Sequence, residues 1–133
     1  MQLLVGHGSF YKGMTSVTVQ RWIADDHVDV AKTFLKPICD SQGGWFIYEI
    51  DDNMSDKCIP LFNRGRKAFE GEKVQSNIKE LLNMADLVTT TTDYLKEFYH
   101  KEYGVPLENI VALPNLLPRY LYGDRFDVQC KVA

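Results

Sequence analysis

The stretch Trp45-Phe46-Ile47-Tyr48-Glu49-Ile50, followed at once by Asp51-Asp52-Asn53, constrains this chain more than any other. A continuous run of aromatic and β-branched residues reads as a parallel strand buried on both faces. Here it stops abruptly at two carboxylates and an amide. In open α/β sheets ligands sit in the crevice beyond the carboxyl ends of the strands, so Asp51, Asp52 and Asn53 fall where such a crevice forms.

The surrounding chain supplies the partners of that strand. Thr15 to Gln20 alternates polar and apolar residues and is rich in β-branched ones, the pattern of a strand. Asp25 and Asp26 then start a helix, where carboxylates cap free N–H groups and suit the positive end of the dipole. Val28, Ala31, Leu35 and Ile38 give this helix one apolar face, and Pro37 kinks or ends it. Ser41-Gln42-Gly43-Gly44 turns the chain back into the pivotal strand, which completes a βαβ unit with parallel strands.

A second amphipathic helix carries Val74, Ile78, Leu81, Leu82 and Ala85 at i, i+4, i+7, i+8 and i+11, the stripe of a helix lying on a sheet. Leu87 to Thr90 reads as a short strand. Thr91 and Thr92 end it and cap a further helix whose apolar residues are Leu95, Phe98 and Tyr99 and whose stop is Gly104 and Pro106. Asn109 to Leu113 is the next strand. The order β-α-β-loop-α-β-α-β predicts a Rossmann-like, open, mostly parallel α/β sheet flanked by helices. The domain expected on this basis spans residues 1–117, with 118–133 as a linker or docking tail.

Residues 53–71 lack periodicity and carry Pro60, Gly65, Gly71 and the cations Arg64, Arg66 and Lys67. Long loops inside compact domains are often functional. Asn63, Arg64 and Arg66 are candidates to reach a ligand carboxylate, phosphate or sugar hydroxyl beside Asp51 and Asp52, against the alternative of a solvated loop pairing with nearby acids. Ile59, Pro60, Leu61 and Phe62 are expected to pin the loop by burial. Gly6-His7-Gly8 is a weak phosphate-cradle signal, because the full G-x-G-x-x-G spacing is absent.

Composition excludes several classes. With 45% hydrophobic and 25% charged residues among 133, and a net charge of -3, the chain is an ordinary globular domain without the basic excess of a general nucleic-acid binder. No run approaches the roughly 20 apolar residues of a membrane span, and the start lacks the pattern of a secretory signal. Cys39, Cys58 and Cys130 form no Cys-x-x-Cys pair, so neither a disulfide framework nor a zinc site is indicated, and a reducing, cytoplasmic setting fits.

Taken in order, Tyr48-Glu49-Ile50-Asp51-Asp52, Ile59-Pro60, the run Asn77 to Thr89, Thr91-Thr92-x-x-Leu95 and Asn109-Ile110-Val111-Ala112-Leu113-Pro114-Asn115 resemble the N-terminal, acceptor-side half of GT-B glycosyltransferases of the group-one type, phage and bacterial members above all. The resemblance covers about Gln20 to Leu117. It implies transfer of a sugar from a nucleotide-sugar donor to a sugar acceptor across a cleft between two domains, with no metal or other cofactor in the chemistry. Asp51 or Asp52 would orient or deprotonate an acceptor hydroxyl, and mutual repulsion would raise the pKa of one of them. A helix-cap or loop hydrogen-bonding role is the alternative for this pair. Thr91, Thr92 and Asn115 lie at strand ends on the cleft side, with capping or turn roles as their alternative.

The sequence departs from the family at Pro114-Asn115-Leu116, where Pro-Asn-Gly is usual, and in the glycine loop near the start. The resemblance ends before the family's second domain, with its paired glutamates and nucleotide-binding surface, so the expectation is a half-enzyme whose donor site comes from a second domain or a partner chain, inactive alone. A homo-oligomer stays open, and so does a non-catalytic binding or assembly module presenting Tyr120, Tyr122 and Phe126. A small phosphate-binding protein using Gly6-His7-Gly8 with Arg64 and Arg66 is the third option.

Overall fold

The structure, a computed structural model, describes residues 16–114. The glycine loop at Gly6, Asn115, Cys130, the tail and the boundary at 117/118 lie outside the described residues. Four strands, β1 (Ser16–Gln20), β2 (Trp45–Glu49), β3 (Leu87–Thr90) and β4 (Ile110–Ala112), form one sheet in the order β1-β2-β3-β4, and every pairing is parallel. The helices are α1 (Asp25–Val30), α2 (Lys36–Ser41), α3 (Glu72–Met84) and α4 (Asp93–Tyr103). The expected class, an open parallel α/β sheet flanked by helices, is the one found.

Strand order decides which face is covered. Strands laid down in sequence order and joined by right-handed crossovers put every connecting helix on the same side of the sheet. Burial agrees: Val19, Tyr48, Val88 and Ile110 stand side by side in the register and all are buried. Their neighbours on the opposite face are open, with Trp45 at 54% exposure and Val111 at 39%. Thus β2 is buried on one face, not two; its unbroken apolar run reflects a helix-covered face plus an apolar open face.

The core lies between the sheet and the helices. Ile78, Leu81 and Leu82 of α3 are fully buried against Phe46, Tyr48 and Ile50, as the stripe spacing requires. Asp86 fixes the sheet to the first helical arm. Its carboxylate accepts from Phe46 N–H at 2.9 Å and from Lys36 Nζ at 2.9 Å. Asn77, buried in α3, donates to the Ile23 carbonyl at 3.1 Å and to Asp25 at 2.7 Å, which ties the start of α1 to the same helix. Thr92 caps α4 by accepting from Leu95 N–H at 3.2 Å, and Gly104 ends it at φ 75, a left-handed position suited to glycine.

Two details of the first helical arm differ from expectation. The N-cap is Ala24, with Asp25 and Asp26 inside the first turn. The Asp26 carboxylate accepts the His27 N–H of that turn at 3.1 Å, as expected of a first-turn acid, and the His27 imidazole adds acceptance from the Ile23 and Ala24 N–H groups at 3.2 Å each. Pro37 does not end the arm. A π-helical turn at Ala31–Leu35 precedes it, in which Lys36 N–H reaches the Ala31 carbonyl five residues back, and Pro37 sits in the first turn of α2, where its missing N–H costs least.

Among the described residues no helix is long and apolar enough to cross a membrane.

Candidate functional site

A cleft of about 490 Å³ opens at the carboxyl ends of β1 and β2, lined among others by Arg21, Asp52, Asn53, Met54, Asn63 and Phe69. Nowhere among the four strands does the order reverse, so no crevice arises from crossovers diverging to opposite faces. The loop after β2 builds the cleft instead, folding back over the strand ends through the turn Pro60–Asn63 and a 3₁₀ turn at Arg64–Ala68.

Arg21 organises the site, and it was not among the residues singled out from sequence. The register pairs Gln20 with Glu49, which brings the next residue of β1 beside Asp51. Arg21 Nε and Nη2 donate to the two oxygens of Asp51 at 2.7 and 2.8 Å, and Nη2 also lies 2.8 Å from Asp52 Oδ2. Its backbone takes φ 52, the left-handed region that costs a side-chain-bearing residue about 1–2 kcal/mol. The Arg21 N–H, donated to the Glu49 carbonyl at 3.3 Å, holds the backbone there, and the charge-assisted fork onto two carboxylates offsets part of the cost.

The electrostatics of the acid pair follow from this cation. The expected rise in pKa by mutual repulsion does not apply to Asp51: the Arg21 hydrogen bonds hold its carboxyl below the usual carboxylate value, outweighing the opposing effect of partial burial. Arg21 in turn is pushed up, chiefly by the same hydrogen bonds. Asp51 is therefore a committed anion and a weak base, while the more exposed Asp52 carboxylate faces the cleft.

The backbone of this acidic segment is pinned from below. Tyr99 Oη, fully buried in α4, donates to the Asp52 carbonyl at 2.6 Å and accepts from Met54 N–H at 3.1 Å. Thr91 Oγ1 donates to the Asp51 carbonyl at 3.1 Å. Burial raises the Tyr99 pKa far above its ordinary value, so the hydroxyl keeps its proton.

The other candidates divide. Asn53 and Asn63 line the cleft, each with its side-chain oxygen engaged in a local turn: Asn53 accepts from Ser55 N–H at 3.0 Å and Asn63 from Gly65 N–H at 2.9 Å. Their amide nitrogens make no hydrogen bond among the described residues. Arg66 holds the loop together, bonded to the Ile59 carbonyl and to Glu70 at 2.5 Å, as the acid-pairing alternative anticipated. Arg64 is exposed and does not line the cleft; Thr92 is a helix cap. Asp51 and Thr91 border a separate hollow of about 150 Å³ with Glu49, Thr89 and Pro114. The expectation that Leu61 and Phe62 pin the loop is overturned: they are 87% and 89% exposed, because they occupy the two central positions of the outward-pointing turn, and Met54 and Phe69 pack inward instead.

Among the described residues no three His, Cys, Asp or Glu side chains converge as a metal site. Cys58, exposed at the cleft, and Cys39, buried in α2, are both free thiols. Comparison of the chain with known protein families, with curated proteins and with solved structures finds no match.

Proposed function

We propose that this chain is the acceptor-side domain of a nucleotide-sugar-dependent glycosyltransferase, with a polyhydroxylated acceptor held in the cleft at the ends of β1 and β2. The carrying observation is the lining of that cleft. The Asp52 carboxylate and the amides of Asn53 and Asn63 offer hydroxyl partners, while Met54, Ile59 and Phe69 supply an apolar wall for the C–H face of a sugar ring. Asp52 would orient the acceptor hydroxyl and take its proton; Asp51 would hold Arg21 in place, and Arg21 would fix Asp52. The donor nucleotide-sugar would be bound by a second domain or a partner chain, as the resemblance implies.

The test is an amide-resolved NMR titration of the chain with a panel of mono- and disaccharides, alongside nucleotide-sugars. Expected are shifts confined to Asp52, Asn53 and Asn63 for at least one sugar, at the roughly 1 mM affinity that corresponds to about 4 kcal/mol of binding, and their loss in Asp52→Asn. Absence of shifts at these residues for every sugar would overturn the proposal.

A second reading, a non-catalytic binding or assembly module, is favoured by the open sheet face with Trp45, Val111 and Leu113 exposed. Shifts confined to that face on concentrating the protein would support it.

A further inference from the structure

We propose that the loop from Lys57 to Lys67 docks the chain on an anionic lipid surface. Asn63 N–H donates to the Pro60 carbonyl at 2.9 Å, which closes a turn with Leu61 and Phe62 as its two central residues. Their exposures of 87% and 89% are the highest of any large apolar side chains among the described residues, so nothing in the described fold covers them. Hydrogen bonds tie the base of the turn: Arg66 bridges the Ile59 carbonyl on one side and Glu70 on the other, and Asn63 caps the 3₁₀ turn that follows.

Charge identifies the partner. The chain carries a net charge of -3, yet residues 56–67 hold four cations, Lys57, Arg64, Arg66 and Lys67, against one acid, Asp56. Among the described residues outside the loop most cations are consumed: Arg21, Lys32, Lys36, Lys73 and Lys101 sit in ion pairs. Within the loop only Arg66 does, and Lys57, Arg64 and Lys67 are exposed and make no ion pair among the described residues. Two solvent-facing apolar side chains at the tip of a turn, followed directly in the chain by the unpaired cations Arg64 and Lys67, fit a lipid interface. The tip enters the headgroup–acyl boundary without needing a complementary pocket, and the cations meet headgroup phosphates within a Debye length. A protein partner would need a matching cavity and acidic rim. The inference stands whether or not the neighbouring cleft holds a sugar.

Flotation of the full chain with phosphatidylcholine vesicles, with and without phosphatidylglycerol, tests it at low and high salt. Expected is binding to the anionic vesicles alone, weakened by salt. Leu61→Ser with Phe62→Ser should lower it at least about tenfold, and Arg64→Gln or Lys67→Gln about fivefold each. Circular dichroism should be unchanged, since these side chains are outside the core. Phe62→Trp, in an otherwise native chain, should add a component to the emission that shifts to shorter wavelength on adding anionic vesicles. Wild-type flotation equal for neutral and anionic vesicles, or a double serine variant that floats as the wild type does, overturns the proposal. So does loss of self-association, without vesicle binding, in that variant, which would make the tip a protein contact.

Discussion

Replacing Tyr99 by phenylalanine probes the support beneath the candidate site with a single oxygen removed. The hydroxyl is fully buried and makes two hydrogen bonds, to the Asp52 carbonyl at 2.6 Å and from Met54 N–H at 3.1 Å. Each such bond contributes about 0.5–1.5 kcal/mol net. Met54 is itself buried at 1% exposure, so its orphaned N–H adds a desolvation penalty of about 1–3 kcal/mol unless water reaches it. A loss of about 2–3 kcal/mol follows, the upper end being trimmed by relaxation of the loop. With a urea slope of about 1.5 kcal/mol per molar, the midpoint should fall by about 1.3–2 M. Tyr94→Phe is the control, because that ring is 69% exposed and should shift stability by less than about 0.5 kcal/mol. Urea unfolding followed by circular dichroism measures both. A Tyr99→Phe midpoint within about 0.3 M of the wild type would refute the claim that this hydroxyl holds the acidic segment. If the midpoint falls as expected, amide exchange at Asp52 to Met54 should accelerate more than at α3, since the bonds lost are local.

Arg21 allows a separation of contact from backbone strain. Arg21→Ala loses the half-exposed ion pairs, about 1 kcal/mol after screening, and keeps the left-handed backbone, whereas Arg21→Gly relieves about 1 kcal/mol of that strain. The glycine variant should melt above the alanine one, and the reverse order would remove the strain from the account. Asp51 carries a pH signature. Its folded pKa is depressed below the unfolded value of about 3.9, so its contribution is complete above that pH and is lost as pH falls through the folded value. The stability gap between wild type and Asp51→Asn should be constant near neutrality and shrink in acid; a gap that does not change down to about pH 2.5 would contradict the Arg21 assignment.

Elements whose cause is local were legible in the sequence. The α3 stripe needs only helical spacing, and Ile78, Leu81 and Leu82 are buried as that spacing requires. Thr92 and Gly104 are read from capping chemistry alone. What escaped depended on distant chain segments. Arg21 meets Asp51 because Gln20 pairs with Glu49, a register that no local pattern encodes. The one-sided burial of β2 follows from strand order, and an apolar residue such as Trp45 looks the same in sequence on either face. Leu61 and Phe62 were assigned by hydrophobicity, whereas the turn between Pro60 and Asn63 sends them outward. For Arg66 the sequence offers both a ligand contact and pairing with a nearby acid; the fold gives it Glu70 and the Ile59 carbonyl, a choice that the cluster alone does not make.

The sequential strand order also bears on how the chain reaches its native state. Among the described residues each strand pairs with the one made just before it and the one made just after, and none of these four waits for a later one to be inserted between neighbours. Loop closures are therefore confined to one crossover at a time, which keeps contact order low for a parallel sheet and favours fast assembly. Units can also dock in the order in which synthesis delivers them, with β1 and β2 joined through α1 and α2 before α3 arrives to cover Phe46 and Tyr48.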